Sequence, residues 1–283
     1  MQILAACTQS KRGPIALCLG DFLADNRPFS AGEWRAAIDT APERLPLRRL
    51  YKGGYWKAVQ DLRKDSGAAV HVVSAGLGLL SDEQVAPPYN ATFASGDANS
   101  VPDANSVEGR RRWWMTLGGS DALRAVSDSL IVVLPTSYLA VVLPDLLARG
   151  AGRDWVFTTV PTRLGGLEAS AIPVNARMAA KLGVNVTGLL PAAARFAMRR
   201  ASDRTTAVDA LHSLVDDPAA RFYPKRTKLA DGDVALWIRS ALAGESPPSS
   251  ASAALVKFRD AGFALEQKRF HRVFAAVVDG SHG

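Results

Sequence analysis

The sequence predicts an α/β fold, a parallel sheet flanked by helices, followed by a helical carboxyl-terminal region. Three observations support this. Apolar runs alternate with segments of helical periodicity, which is typical of parallel sheets covered by helices. Small, hydroxylated and basic residues directly follow two of the apolar runs. The composition of 48% hydrophobic and 22% charged residues over 283 residues is that of a globular protein. We expect an α/β domain at 1–205 and a helical, basic region at 206–283.

The elements follow from the pattern of apolar residues. Residues 2–7 form an unbroken apolar run, as in a strand buried on both faces. A helix is predicted at 54–65, where Tyr55, Val59 and Leu62 lie near helical spacing. The further predicted elements are a strand at 69–74, a helix near 107–127, a strand at 129–134, a helix at 137–149 and a strand at 155–160.

Two segments interrupt this alternation. Residues 94–106 are small and polar, so we expect a surface loop that lies over the pocket described below. Residues 244–252 are rich in serine and proline and predict a linker or a tight connection. The helices expected after it, at 252–261 and 265–278, have the outline of a helix-turn-helix unit. A plain helical hairpin fits them equally well.

Two short motifs mark a candidate binding site. Cys-Thr-Gln-Ser-Lys-Arg-Gly at 7–13 follows the first strand, and Ser-Ala-Gly-Leu-Gly-Leu-Leu at 74–80 follows the strand at 69–74. The second motif leads into Pro-Tyr-Asn-Ala-Thr-Phe at 88–93. Ligands of parallel α/β sheets bind beyond the carboxyl ends of the strands, so both turns are expected to border one pocket. The candidate substrate contacts are Cys7, Thr8, Ser10, Lys11, Ser74, Gly76, Gly78, Tyr89, Asn90 and Thr92.

These residue types suggest specific roles. Lys11 could hold a phosphate or neutralise a leaving group. Tyr89 could stack on a base while Asn90 reads its edge, although Tyr89 fits equally well as a core residue beneath the prolines before it. Gly76 and Gly78 are expected to allow close approach of a ligand or a sharp strand-to-helix turn.

Three carboxylates could reach this pocket. Asp82 and Glu83 follow the second motif closely enough to enter the same crevice, and Asp21 could reach in from a neighbouring loop. Asp82 also fits a helix or turn cap after Ser81. Cys7 is expected to be structural rather than a nucleophile, because no histidine lies near it in sequence.

The charge of the chain favours a nucleic-acid partner. Its formal net charge is +7 and its pI is about 9.6. Lysine and arginine bind phosphate backbones by displacing counterions, and neighbouring aromatic rings stack on exposed bases. The basic clusters lie at 110–114, 195–204, 225–228 and 268–272. Any single one of them fits a solvated helix face equally well, and it is the four together that favour nucleic acid. The candidate DNA contacts are Arg12, Arg163, Lys268, Arg269 and Arg272.

Other classes of protein are disfavoured. Two cysteines and four scattered histidines give no metal-ligand spacing, so neither a metal nor another cofactor is expected. No apolar run reaches the roughly 18 residues of a membrane span. Met1 leads directly into a strand without the basic segment and cleavage site of an export signal, so we expect a cytoplasmic protein.

The motifs resemble those of a known superfamily. Cys-Thr-x-Ser-Lys, then Ser-Ala-x-x-Gly-Leu-Leu and Pro-Tyr-x-x-Thr, each after a strand, resemble the uracil-DNA-glycosylase-like α/β domains over residues 1–200. The likeness is to the branch that holds the glycosylase-like domain of archaeosine tRNA transglycosylases and the anti-phage glycosylases that excise hypermodified bases. The segment at 262–270 is similar to a recurrent tail of bacterial relatives.

The resemblance implies base excision from DNA. The expected activity is a DNA glycosylase that flips out a modified base, such as glucosylated hydroxymethylcytosine of phage DNA, and leaves an abasic site. One departure is evident, because uracil glycosylases carry a water-activating aspartate after the first strand, where residues 7–13 contain no acid. It leaves Asp82 or Glu83, or else Asp21, as the catalytic acid that the resemblance implies. The alternatives are a base-exchanging transglycosylase or another nucleoside-processing enzyme, and a non-catalytic nucleic-acid-binding regulator that uses the carboxyl-terminal helices.

Overall fold

The structure is a computed structural model that describes residues 1–24, 30–215, 226–244 and 246–280. The chain divides into two compact units, Met1–Pro218 and Ala219–Gly283. Each unit has its own hydrophobic core. The strands are β1 (Gln2–Ala6), β2 (Leu17–Cys18), β3 (Leu45–Pro46), β4 (Val70–Ser74), β5 (Gly78–Ser81), β6 (Val85–Ala86), β7 (Tyr89–Asn90), β8 (Leu130–Val132), β9 (Trp155–Thr158), β10 (Ala171–Pro173), β11 (Thr227–Lys228) and β12 (Phe263–Ala264).

Helices surround the sheet of the first unit and make up most of the second. They are α1 (Leu19–Leu23), α2 (Ala31–Thr40), α3 (Leu47–Leu50), α4 (Gly54–Ser66), α5 (Val107–Thr116), α6 (Gly119–Arg124), α7 (Thr136–Ala148), α8 (Met178–Lys181), α9 (Leu189–Met198), α10 (Arg204–His212), α11 (Asp231–Ala243), α12 (Ala251–Asp260) and α13 (Gln267–Asp279). Short 3₁₀ turns lie at Glu168–Ser170 and Val186–Gly188.

A six-stranded sheet in the order β10-β9-β8-β1-β4-β5 forms the centre of the first unit. All neighbouring strands in it run parallel except β4 and β5, which are antiparallel. Side chains of the inner strands are buried on both faces, as Leu4, Val72 and Val132 show. Covering helices exclude water from both faces of such a sheet, which explains the continuous apolar runs. The predicted α/β class with a mostly parallel sheet is confirmed.

The helices of the first unit form two groups. In one group α9 packs against both α4 and α10. The other group consists of α5, α6 and α7, which pack against one another. Crossover connections between parallel strands are right-handed. The connection from β1 to β4, which contains α4, runs across the sheet in the direction opposite to the connection from β8 to β9, which contains α7. The two groups of helices therefore lie on opposite faces of the sheet. The predicted helix near 107–127 is two helices, α5 and α6. Gly118 lies between them in the left-handed conformation, at a φ of 72°.

The first unit extends beyond the predicted boundary at residue 205. Ala207 and Leu211 of α10 are fully buried in its core. The compact unit therefore continues to Pro218.

The second unit is helical around a small core of its own. Ile238 of α11, Phe258 of α12 and Phe270 of α13 are buried together, and β11 pairs parallel with β12. Gly262, at a φ of 88°, lies in the turn between α12 and α13. The two helices expected on either side of this turn are confirmed. None of the helices that the structure describes is both long and apolar enough for a membrane span.

Candidate functional site

The turns after β1 and β4 lie side by side at one edge of the sheet. Ala6 pairs with Val73, and the Cys7 amide donates a hydrogen bond to the Val73 carbonyl at 2.9 Å. This register follows directly from the parallel pairing of β1 with β4, whose carboxyl ends meet at the same edge. The two turns are therefore adjacent, but the turn after β4 does not line the cavity described below, so the expectation that both border one pocket is not met.

A buried group of four side chains, the lysine–tyrosine cluster, fills the space between these turns. It consists of Lys11, Tyr51, Ser74 and Tyr89, and none of them is more than 4% exposed. The Tyr89 hydroxyl lies 2.5 Å from Ser74 Oγ and 2.7 Å from the Tyr51 hydroxyl. Lys11 Nζ lies 4.4 Å from the Tyr89 ring centroid and donates a hydrogen bond to the Thr8 carbonyl at 2.7 Å.

Burial determines how these groups titrate. Desolvation lowers the pKa of Lys11, and the nearby Cys7 acts in the opposite direction. Desolvation likewise raises the pKa values of Tyr51 and Tyr89 well above the ordinary value for tyrosine. The tyrosines are therefore neutral at physiological pH.

The cluster corrects three sequence predictions. Tyr89 cannot stack on a base with its ring fully buried, so the prediction of a stacking role is wrong and the alternative of a core residue is right. Lys11 is not positioned to hold a phosphate, because its ammonium group lies over the Tyr89 ring inside the protein. Ser74 accepts hydrogen bonds from the Gly76 and Leu77 amides, so it shapes the turn rather than a ligand site.

The two glycines of the second motif are needed by the protein itself. A Cβ on Gly76 would lie 2.7 Å from Cε2 of Tyr89, so the close approach here is to Tyr89 and not to a ligand. Gly78 has a φ of 76° and begins β5. The expected strand-to-helix turn is wrong, because the chain makes a hairpin between β4 and β5.

Cys7 and Thr8 have structural contacts. Cys7 is buried, and its Sγ lies 3.2 Å from the Tyr138 hydroxyl. Thr8 Oγ1 donates a hydrogen bond to the Ser10 carbonyl at 2.7 Å, which closes the turn after β1. The structural role expected for Cys7 agrees with this geometry.

A polar cavity of about 250 Å³ opens beside the cluster, at the same edge of the sheet. It combines residues from the turn after β1, from the segment that begins with β7, and from the polar loop that follows it. Of the ten predicted substrate contacts, Ser10, Asn90 and Thr92 line this cavity. The lining residues are Gln9, Ser10, Asn90, Ala91, Thr92, Asp97 and Asn99.

Asp97 supplies a carboxylate to this cavity. Its Oδ1 accepts a hydrogen bond from the Asn99 amide at 2.9 Å, and its Oδ2 accepts one from Gln9 Nε2 at 3.4 Å. The Asp97 amide donates to Ser100 Oγ at 3.0 Å, so the loop holds its own conformation. The sequence analysis did not identify Asp97 as a site residue, because the small polar residues at 94–106 predicted only a surface loop over the pocket.

Asp82 and Glu83 lie at the opposite edge of the sheet, so their assignment as catalytic acids is wrong. Strand β5 runs antiparallel to β4 and returns the chain to the amino end of β4, where the Asp82 amide donates to the Val70 carbonyl at 3.0 Å. Asp82 is buried beside Arg63, and Glu83 forms ion pairs with Arg48 and Arg63. Burial raises the pKa of Asp82, and the two arginines partly oppose this shift.

Asp21 is exposed on α1 and does not line the cavity. The helix nevertheless contacts the polar loop, because the Gly20 amide donates a hydrogen bond to Asn99 Oδ1 at 3.2 Å.

The predicted DNA contacts are mostly exposed. Arg12 lies in the turn after β1 and Arg163 in the loop after β9, and both reach solvent. Arg269 and Arg272 are exposed on α13, where Arg269 also pairs with Asp231 at 2.8 Å. The side chain of Lys268, and Lys225 of the third basic cluster, lie outside the described residues.

The basic cluster at 110–114 is largely engaged within the first unit. Arg110 donates a hydrogen bond to the Phe93 carbonyl, Arg111 pairs with the buried Asp145, and Arg112 pairs with Asp103. The interpretation of this cluster as a nucleic-acid contact is therefore wrong for Arg111, whose charge is already matched.

Within the described ranges no three histidine, cysteine, aspartate or glutamate side chains come together in a way that could hold a metal ion. Comparison of the chain with protein-family models, with curated proteins and with solved structures gives no match.

Proposed function

We propose that this protein is a DNA glycosylase that hydrolyses the N-glycosidic bond of a modified base. The observation that carries this proposal is the chemistry of the polar cavity beyond β1 and β4. Amide, hydroxyl and carboxylate side chains converge there on a volume of about 250 Å³. This is slightly below the roughly 300 Å³ at which clefts for drug-sized ligands begin, so it suits one nucleobase, and a sugar on that base would extend from the open side of the cavity.

The amides of the cavity suit recognition of a flipped base. Gln9, Asn90 and Asn99 each offer a donor and an acceptor, as the edge of a nucleobase does. Such contacts must offset the few kcal/mol that unpairing and unstacking a nucleotide require. The hydroxyls of Ser10 and Thr92 would serve the sugar or a substituent of the base.

Asp97 is the carboxylate we assign to the reaction. As the bond from the base to C1′ breaks, its electron pair leaves with the base and positive charge develops at C1′. A carboxylate nearby stabilises that charge and takes a proton from the water that adds to C1′. The Asn99 amide and Gln9 hold Asp97 in place for this role.

The charge of the whole chain is consistent with a DNA substrate. A net charge of +7 favours association with a polyanion. The modified base, such as glucosylated hydroxymethylcytosine of phage DNA, and hence a role in anti-phage defence, follow from the resemblance to hypermodified-base glycosylases. A lining rich in amides and hydroxyls also suits the hydroxyls of a sugar.

The test is release of a base from defined duplexes. The protein is incubated with unmodified DNA and with phage DNA that carries glucosylated bases, and abasic sites are revealed as strand breaks after alkali. We expect breaks only in modified DNA. Asp97→Asn should lower the rate by 100-fold or more, on the order of the 10²–10³ lost with one transition-state contact, whereas Asp21→Asn should leave it unchanged. Intact strands on every modified substrate would overturn the proposal.

The same assay distinguishes the alternative activities. A transglycosylase would incorporate labelled free base into the DNA, whereas a glycosylase only releases base. A non-catalytic binder would retard the DNA without strand breaks, and its affinity would fall with salt.

A further inference from the structure

A second cleft, separate from the polar cavity, lies between helices of the first unit. It is bordered by α4, by the end of α8 and by α9, and has a volume of about 240 Å³. We call it the basic cleft, because four of the residues that line it are cations. They are Lys181, Arg195, Arg199 and Arg200.

Carboxylates match only part of this charge. Asp65 accepts contacts from both Arg195 and Arg199, the latter at 2.5 Å. Asp61 also borders the cleft but pairs with Lys57 at 2.7 Å. Within the described ranges, neither Lys181 nor Arg200 has a carboxylate within ion-pair distance. The cleft therefore keeps an excess of positive charge.

The arrangement of these cations suits a repeating anion. Arg195 lies in the last turn of α9, and Arg199, four residues on, is the C-cap residue of that helix with helical φ and ψ; side chains at that spacing are neighbours about 5–6 Å apart at Cβ. Lys181, the last residue of α8, lines the same cleft. Proteins that bind a phosphodiester backbone place several cations along a groove, whereas a site for one anion gathers its cations around a single point.

The remaining lining also fits a nucleotide strand. The guanidinium carbon of Arg200 lies 3.9 Å from the centroid of the Phe196 ring, and this cation–π contact holds the cation in the lining of the cleft. Leu182, Val184 and Ala192 supply an apolar wall against which a sugar or base face can pack. Isolated phosphate would gain nothing from that wall.

The basic cleft is distinct from the cavity beyond β1 and β4. Helix α4 begins at Gly54, and the amide of Lys52 just before it bonds to the Ser10 carbonyl at that edge. The residues of α4 that line the cleft are Ala58, a turn further on, and Asp61. It therefore lies along the flank of the sheet, away from the cavity.

We propose that the basic cleft binds the phosphodiester backbone of a single nucleic-acid strand. This inference does not rest on the glycosylase activity, because it concerns binding of unmodified nucleic acid without any chemical step. It brings three arginines of the basic cluster at 195–204 into one cleft with Lys181, a residue that the sequence analysis did not single out.

The test is binding of an unmodified, fluorescently labelled single-stranded oligonucleotide, followed by anisotropy over a series of salt concentrations. The double variant Lys181→Ala with Arg200→Ala removes the two cations without carboxylate partners. Loss of two phosphate contacts should lower the slope of log affinity against log salt by about 1.4 and weaken binding roughly tenfold or more at 0.1 M salt. The matched control is Arg35→Ala with Arg49→Ala, which removes the same charge from exposed positions outside the basic clusters.

A measurement on the unaltered protein guards against loss of folding in the variant. Bound oligonucleotide should protect Lys181 from acetylation at least threefold more than it protects Lys64, which is exposed on α4. An equal loss of affinity in both double variants would overturn the proposal, as would equal acetylation of Lys181 with and without oligonucleotide. Displacement of the oligonucleotide by inorganic phosphate or by polyglutamate, at constant ionic strength, would also overturn it.

Discussion

The hydroxyl of Tyr89 lies 2.5 Å from Ser74 Oγ, and this contact joins β7 to the end of β4. Ser74 Oγ also accepts the Gly76 and Leu77 amides, at 3.2 and 3.0 Å. One hydroxyl thus satisfies three buried groups. Ser74 therefore stabilises the turn after β4, and the polar cavity lies beside that turn.

Ser74→Ala should lower the free energy of unfolding by about 2–4 kcal/mol, because each buried group left without a partner costs about 1–3 kcal/mol. Urea denaturation measures this change. Tyr51→Phe removes a single contact to Tyr89 and should cost about 1 kcal/mol. Ser10→Ala, at an exposed position, is the control, and a Ser74→Ala effect no larger than that of Ser10→Ala would contradict the role we give Ser74.

The protein should unfold at alkaline pH through its buried tyrosines. Burial raises the pKa values of Tyr51, Tyr89 and Tyr138. The folded state therefore keeps protons that the unfolded state releases above a pH of about 10. This stability is fully present below pH 10 and is lost above it, by about 1.4 kcal/mol per pH unit for each such tyrosine.

The measurement compares tyrosinate absorbance with far-ultraviolet circular dichroism during an alkaline titration. The main rise in absorbance should coincide with the loss of helical signal. Ionisation of these tyrosines in a protein that remains folded would contradict the prediction. Lys11 acts in the opposite sense at lower pH, because its lowered pKa makes stability rise with pH up to 10.5.

The sequence was sufficient to predict the parallel sheet because β1, β4 and β8 are apolar on both faces, a local pattern. It did not reveal β5. The glycines at 76 and 78 fit a hairpin as well as a strand-to-helix turn, and only the pairing of Ser74 with Gly78 distinguishes them. Because β5 runs antiparallel to β4, Asp82 lies at the amino end of β4 and not in the crevice that the sequence predicted.

The position of the cavity could not be predicted, because it is set by contacts between residues that are distant in sequence. Strand β2 pairs with β7, which brings Leu17 beside Tyr89 and positions the polar loop over the turn after β1. Two-residue strands such as these have no periodicity to detect. The one available signal for Asp97 was the Asp-x-Asn pattern at 97–99, whose side chain bonds to the backbone two residues on.

Gly76→Ala should destabilise the first unit by about 1–3 kcal/mol, the usual effect of overpacking. The added Cβ would meet the Tyr89 ring at 2.7 Å and Cβ of Ala91 at 3.2 Å, and neither neighbour is free to move in the core. Thermal unfolding of the two proteins provides the measurement. Gly32→Ala on α2 is the control, since a Cβ there would meet only Ser30 Oγ at 3.6 Å.

The control should gain roughly 0.5–1 kcal/mol, because alanine replaces glycine within a helix. Equal melting temperatures for Gly76→Ala and the unaltered protein would show that the turn after β4 relaxes easily, contrary to the packing described here.

Asp145→Asn should destabilise the protein by about 3–5 kcal/mol, the usual effect of removing one partner from a buried ion pair. Asp145 is fully buried on α7 and accepts both Arg111 guanidinium nitrogens at 2.9 Å, with Ser120 Oγ at 2.5 Å. Asparagine keeps the shape but leaves the Arg111 charge unmatched. Asp103→Asn, which breaks an exposed pair with Arg112, should cost at most about 1 kcal/mol.

The pH dependence of this difference supplies an independent check. Burial alone would raise the pKa of Asp145, but hydrogen bonds from Arg111 and Ser120 outweigh it, so the pKa lies below the ordinary 3.8. The stabilisation is therefore fully present above that pH and is lost as the pH falls through the lowered value. Urea denaturation of the two proteins should give a difference that shrinks only below pH 4. A difference that already shrinks near pH 6 would mean that Asp145 is not held ionised by Arg111, and Arg111 would then be available to bind a phosphate.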